Sequence, residues 1–183
     1  MQIEAAPIEG LFVVTPTRHG DARGFFAETW NAAKLTEAGH DWTFVQDNQS
    51  LSATKGTVRG LHYQAPPHGQ AKLVRCGRGA VWDVAVDART GSATYGQWFG
   101  VELSAENGRQ LYIPEGFLHG FSTLTDNAEL LYKCSRHYNG AADGAVRFDS
   151  ESIGIDWKLN GATPVLSDKD AAAPDFAEWS SPF

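Results

Sequence analysis

The sequence predicts an all-β chain, a sandwich or barrel of short strands with a few short helices. Three observations carry that expectation. Segments rich in β-branched and aromatic residues recur along the chain and end in turn formers. Nineteen glycines supply the turns between closely spaced strands. Only one stretch carries a clear helical signature.

The expected strands run from Leu11 to Pro16, Phe25 to Trp30, Thr57 to Gln64, Lys72 to Arg75, Ala80 to Asp87, Gln97 to Leu103, Gln110 to Ile113 and Leu130 to Cys134. A tight turn falls at Cys76-Gly77-Arg78-Gly79. The helix spans Asn31 to Ala38, with Asn31 as N-cap and Gly39 as its stop, and a second short helix fits near the C-terminus. With 183 residues, six tryptophans and ten phenylalanines, there is material for one well-cored domain over 1–183. Ala171-Ala172-Ala173-Pro174 and the aromatic residues Phe176, Trp179 and Phe183 read as a C-terminal arm, about 171–183, whose apolar groups suit a subunit contact.

Fifteen Lys and Arg against 22 Asp and Glu leave a net charge of −7, which opposes nonspecific binding to nucleic acid or to anionic membranes. The start, Met1-Gln2-Ile3-Glu4-Ala5, has no basic segment leading into an apolar one, and no stretch approaches the length of a membrane span. A soluble, cytoplasmic protein is expected. Cys76 and Cys134 can in principle pair, but in a chain without an export signal they read as reduced core thiols, and neither has a CxxC partner.

Val58-Arg59-Gly60-Leu61-His62-Tyr63-Gln64 and Ala71-Lys72-Leu73-Val74-Arg75 place an arginine, a histidine and a lysine in two short strands. Together they suggest acid/base chemistry on an anionic substrate: histidine moves protons near neutral pH, and lysine can hold the charge that appears when a carbon acid ionises. Strict alternation sets Val58, Gly60, His62 and Gln64 against Arg59, Leu61 and Tyr63. Arg59 and His62 share a pocket only if the strand bulges, and Gly60 is the place for it.

Each candidate also has a plainer reading. His62 can be a core histidine on a backbone carbonyl. Lys72, on the face of Val74 and Cys76, needs an anion if buried and nothing if it sits in water. Tyr132, between Leu130 and Cys134, can be a core tyrosine or a general acid. Gln46-Asp47-Asn48-Gln49 suits a base or sugar edge, or a turn. Ser167-Asp168-Lys169-Asp170 can orient a histidine, or simply start a solvated helix. Ile113-Pro114-Glu115-Gly116-Phe117-Leu118-His119 carries the Pro-x-Gly-x-x-His motif of cupin barrels, where that histidine often binds metal. The partner motif fails, because Gln64 replaces the second histidine of His-x-His. No metal site is expected.

Taken in order, Arg23-Gly24-Phe25-Phe26, Phe44-Val45-Gln46-Asp47-Asn48, Arg59-Gly60-Leu61-His62, Lys72-Leu73-Val74-Arg75, Gly96-Gln97-Trp98, Ile113-Pro114-Glu115-Gly116-Phe117 and Leu166-Ser167-Asp168-Lys169-Asp170 resemble the dTDP-4-dehydrorhamnose 3,5-epimerases. The resemblance implies a cupin-like jelly-roll barrel, working without metal or cofactor as a homodimer whose sites are shared between subunits. It implies His62 as base with Asp170 as its partner, Tyr132 as acid on the opposite face of the sugar, and Lys72 on the enolate oxygen. It implies Arg23 and Arg59 on the pyrophosphate of a dTDP-sugar, and Tyr138 against thymine. Phe26, Glu28, Gln46, Asp47, Asn48, His119, Asp143 and Lys169 fall at substrate contacts. Asp143 departs from the glutamate more usual there, and the stretch between Asn48 and Arg59 is one residue longer. A single-centre epimerase or ketoisomerase on another 4-keto sugar, a metal-dependent cupin oxygenase and a non-catalytic sugar-binding cupin are the competing readings.

Overall fold

Alternation along the strands sorts the apolar residues into two sets, and each set builds its own core. The computed structural model describes residues 1–183. In chain order its elements are β1 (Gln2–Ala5), β2 (Phe12–Thr15), β3 (Arg18–Asp21), β4 (Gly24–Ala27), α1 (Ala32–Glu37), β5 (Gln46–Ser52), β6 (Val58–Gln64), β7 (Lys72–Arg78), β8 (Ala80–Asp87), β9 (Trp98–Ser104), β10 (Gln110–Ile113), β11 (Phe117–Thr123), β12 (Ala128–Cys134), β13 (Asp143–Ala145) and α2 (Asp168–Ala171).

One sheet has the order β1-β2-β10-β7-β12-β5 and the other β13-β6-β11-β8-β9, with antiparallel neighbours throughout, while β3 and β4 form a separate hairpin. The first core takes Val74, Leu111, Ile113 and Leu130 from one sheet and Val81, Ala85, Leu103, Phe117 and Phe121 from the other, so it fills the space between them. The second core takes Val58, Leu61, Val84, Val86 and Leu118 from the opposite face of the five-stranded sheet. Val146, Phe148, Ile153, Trp157 and Phe176 of the C-terminal segment cover that face. Full burial of one such aliphatic side chain stabilises the fold by roughly 1.5–3 kcal/mol, which is why a sheet with two apolar faces holds a covering segment in place.

The C-terminal arm is part of that cover. Its aromatic residues pack on their own barrel: Trp179 Nε1 donates to the Tyr63 hydroxyl at 3.0 Å, and the Phe183 carbonyl accepts from the Thr90 hydroxyl at 2.7 Å. The exposed large apolar side chains lie elsewhere, notably Phe25 and Phe26 on the β3–β4 hairpin, Leu51 and Tyr138. No helix is long and apolar enough to cross a membrane. Cys76 and Cys134 are both buried and unpaired.

The eight expected strands and the helix after Asn31 are present, although β4 stops at Ala27 short of Trp30 and β7 runs on to Arg78 through most of the expected turn; the Asn31 side chain accepts from the Lys34 N–H at 3.2 Å, and Gly39 takes φ +86° beyond the helix. Two longer strands went unpredicted. In β5, Gln46, Asn48, Ser50 and Ser52 alternate with Asp47, Gln49 and Leu51, a polar strand with no apolar period to reveal it. All of β11 is buried, so it lacks the in-and-out alternation of a half-exposed strand. Short β1, β3 and β13 were also unpredicted.

Strict alternation in β6 breaks at Gly60. Val58 joins Leu61 and Tyr63 at the second core, and Arg59 lines the same cleft as His62. The pairing with β11 slips there, with His62 opposite His119 and Arg59 opposite Phe121. Only glycine fits: its φ is +119°, and a Cβ would lie 2.6 Å from the Gly120 Cα and 2.7 Å from the His119 carbonyl oxygen. Both obstacles are backbone, so neither can swing aside. Gly60→Ala is expected to destabilise the chain by roughly 1–3 kcal/mol or more, read as a lower midpoint in thermal or denaturant unfolding; an unchanged midpoint would show that β6 can straighten.

Candidate active site

Five strands turn polar on their inward face at the same end of the barrel. The register makes these residues neighbours: Lys72 and Gln46 lie on either side of Cys134, and Tyr132 lies opposite Asn48. On the facing sheet His62 pairs with His119. The inward face that is apolar in the middle of the barrel therefore becomes a reactive lining near its mouth.

His62 Nε2 lies 2.6 Å from Asp170 Oδ1. Asp170 is 3% exposed, and Ser167, the N-cap of α2, donates its hydroxyl to Asp170 Oδ2 at 2.9 Å. The segment 167–170 is thus a helix start, as one reading had it, but its last carboxylate turns inward. Burial pushes the Asp170 carboxyl up, yet the hydrogen bond and charge of His62, with Ser167 and the Gly60 backbone, outweigh this and hold it below the usual aspartate value. An ionised Asp170 can only accept. The proton of a neutral His62 then sits on Nε2, and Nδ1 keeps the lone pair of a base.

Lys72 Nζ lies 5.9 Å from the centre of the Tyr132 ring. Burial pushes the Lys72 ammonium below its ordinary value, against the opposing pull of Cys134, Asp83 and Asp143. Burial likewise pushes the Tyr132 phenol up, which keeps its proton in place at neutral pH. Amides fix the wall beside it: the Tyr138 N–H donates to Gln46 Oε1 at 2.9 Å, Gln46 Nε2 to Asn48 Oδ1 at 3.1 Å, and Asn48 Nδ2 to Cys134 Sγ at 3.5 Å.

The cleft beside His62 encloses about 400 Å³ and is lined in part by Arg59, Ser167, Lys169 and Asp170. Arg59 is held by Ser52 Oγ at 3.1 Å and by the Leu51 carbonyl at 3.2 Å. At the mouth, the Asp143 carboxylate accepts from the Tyr138 hydroxyl at 3.3 Å and pairs with the Lys169 ammonium. His119 is buried and bonded through Nε2 to Asp83 at 2.9 Å. No three His, Cys, Asp or Glu side chains converge as metal ligands would.

Four candidates stand apart from this cleft. Arg23, with 90% of its side chain exposed, pairs with Asp21 in the β3–β4 hairpin. Phe26 is 71% exposed on the same hairpin, and Glu28 is tied to Lys34 and Asn31. Asp47 alternates to the outer face of β5 and binds Lys133 at 2.9 Å. Asp83 was not among the candidates, although a carboxylate inside Val81-Trp82-Asp83-Val84-Ala85-Val86 is out of place in an apolar strand. Cys134, expected as a core thiol, also lines the inward face between Lys72 and Gln46.

The chain is similar to a known set of proteins. Residues 5–178 match the family model described as dTDP-4-dehydrorhamnose 3,5-epimerase. The enzyme of that name from Salmonella typhimurium is 51% identical over 168 residues, 91% of each chain. A dTDP-6-deoxy-D-glucose-3,5-epimerase from Legionella pneumophila, solved in complex with dTDP-4-keto-L-rhamnose, superposes with a TM-score of 0.92 at 45% identity, covering 97% of this chain and 93% of that one. A 3'-monoepimerase from Streptomyces bikiniensis in complex with dTDP-quinovose gives 0.89 at 39%, covering 95% and 87%. With the match running over nearly the whole length and the cupin-like fold shared, the chain belongs to the dTDP-4-dehydrorhamnose 3,5-epimerase family.

Proposed function

We infer that the chain epimerises dTDP-4-keto-6-deoxy-D-glucose at C3 and C5 to dTDP-4-keto-L-rhamnose, the keto precursor of dTDP-L-rhamnose. The observation that carries the residue assignment is the 2.6 Å contact between His62 and a buried Asp170, in a barrel that also holds Tyr132 and Lys72. The C4 ketone acidifies the hydrogens on C3 and C5. His62 Nδ1 takes one of them; the C–H electron pair becomes the enolate double bond, and the ketone oxygen takes the negative charge. Lys72 meets that charge where it develops. Tyr132 then gives its proton to the same carbon from the other face, inverting it. The proton delivered is not the one removed, so solvent hydrogen enters at each inverted carbon.

Arg59, Lys169, Tyr138 and Asp143 at the mouth, with Gln46, Asn48 and the buried His119 on the lining behind them, suit the nucleotide and sugar, with the arginine fork matched to phosphate oxygens. Arg23, Phe26 and Glu28 lie outside the cleft of their own chain. Their exposure beside Phe25 favours a homodimer in which the hairpin of one subunit completes the site of the other. Two unpaired buried thiols suit a reducing cytoplasm. A single-centre epimerase is the second reading, favoured by the likeness to the monoepimerase.

Incubation in D2O with dTDP-4-keto-6-deoxyglucose, followed by NMR, is expected to place deuterium at both C3 and C5. Exchange at C3 alone would select the second reading. His62→Ala should lower turnover by about 10²–10⁴-fold with nucleotide affinity nearly unchanged; full activity would sink the assignment. Asp170→Asn, which no longer requires the Nε2 tautomer, should fall by a similar factor. Tyr132→Phe should keep deuterium entry and lose product formation, and equal loss of both would reduce Tyr132 to positioning.

The shared site has its own test. Inactive Arg23→Ala and His62→Ala chains, mixed and allowed to exchange subunits, should regain about a quarter of wild-type activity, because half the dimers are mixed and one of their two sites is intact. No recovery would mean that each chain builds its site alone.

A further inference from the structure

Asp83 lies on β8 between the core residues Val81 and Ala85, with no exposed surface. His119 stands opposite Ala85 in the register, and its Nε2 reaches along the strand to Asp83 Oδ1. Oδ2 has no hydrogen-bond partner in the protein. A sealed carboxylate with a free oxygen needs a cation nearby or it takes up a proton.

Lys72 stands on the facing sheet, on the same inward lining as His119, and Asp83 favours its charged form. Three groups favour its charge. Burial pushes the Cys134 thiol up, so at neutral pH it brings no negative charge. Asp143 is already bound to Lys169 and Tyr138 at the mouth. Asp83 is the remaining one, fully buried and with its Oδ2 still unpartnered. It also settles the tautomer of His119, whose ring burial keeps neutral: with Nε2–H donated to Asp83, Nδ1 is left as an acceptor.

We propose that Asp83 is a positioning residue for the epimerisation, fixing His119 through one carboxylate oxygen and supplying with the other the buried counter-charge for the Lys72 ammonium that meets the enolate. The proposal rests on the role given to Lys72 above. It explains how a half-buried lysine at the edge of the apolar core can stay protonated without an ion pair of its own. Asp83 touches no reacting atom; it acts through its two neighbours.

Asp83→Asn keeps the shape and an oxygen for the His119 N–H, and removes only the charge. Its kcat for the 4-keto sugar should fall about tenfold or more with KM changed by less than about threefold, the pattern of an interaction made in the transition state. The alkaline limb of its kcat profile should move to lower pH, because Lys72 then loses its proton more readily. The other groups facing Lys72, which are Cys134 and Tyr132 on β12, Asp143 on β13 and His119 on β11, are unchanged in this variant. A wild-type kcat, or a fall in kcat with an unmoved alkaline limb, would overturn the proposal.

Lys72→Met separates the proposal from the reading beneath it. If Lys72→Met epimerises at the wild-type rate, the role of Lys72 fails and the proposal with it; if it is crippled while Asp83→Asn is not, only the proposal falls. In the double variant, Asp83→Asn should add no further loss to Lys72→Met, and multiplied losses would overturn the coupling. Should Asp83→Asn alone fail to fold, the double variant is expected to fold, since both buried charges are then gone; a double variant that stays unfolded refutes the pairing.

Discussion

The close passage of β6 over β11 at Gly60 is the constraint on which the site depends. With two backbone atoms of β11 under 3 Å from where a Cβ would sit, the strand slips its register and turns Arg59 and His62 to the same side. The same slip sends Val58 and Leu61 together into the outer core. One bulge thus serves two ends: it aims the histidine and the arginine into the cleft, and it keeps the apolar face under the C-terminal segment continuous. Gly120 is the matching requirement on the other strand, where a Cβ would stand 2.8 Å from the Arg59 carbonyl oxygen and 3.1 Å from the Trp157 ring.

The barrel then sorts charge by depth. Its middle is a close-packed apolar core and its mouth is polar, so ionisable groups at the boundary feel burial and partners together. Burial works on Lys72 and Tyr132 in opposite directions, discouraging the ammonium and preserving the phenol. Asp170 is the reverse case, a buried carboxyl whose partners more than offset desolvation. A lone-pair nitrogen on one wall and a protonated phenol on another are the two protonation states that inversion of an acidic carbon requires. Neither state needs a cofactor to produce it.

Much of this was legible in the residues, and the gaps have physical causes. The apolar, alternating strands announced themselves, and so did the capped helix after Asn31. β5 did not, because its inward face is built of Gln46, Asn48, Ser50 and Ser52, chosen for hydrogen bonding rather than burial. β11 hid for the opposite reason, being buried on both faces. The partners His62 and Asp170 are 108 residues apart, a separation that no local pattern reveals. The motif order supplied that pairing through resemblance, and the geometry gives its distance. Asp83 escaped because a single acid in a hydrophobic strand was counted with the strand.

Exposure also separates the contacts that must persist from those free to exchange. The His62–Asp170 bond joins a side chain 34% exposed to one 3% exposed, and the His119–Asp83 bond is sealed on both sides. Breaking either strands a buried group. The Lys169–Asp143 pair is different, with 51% of the lysine side chain in solvent, and exposed pairs of this kind contribute only about 0–1 kcal/mol. On the proposed function, a phosphate arriving at the mouth can therefore compete for Lys169 at little cost. On the proposed function, the shorter Asp143 matters here more than at the chemistry: it leaves the inner dyads alone and sets how tightly the mouth is tied before the nucleotide arrives.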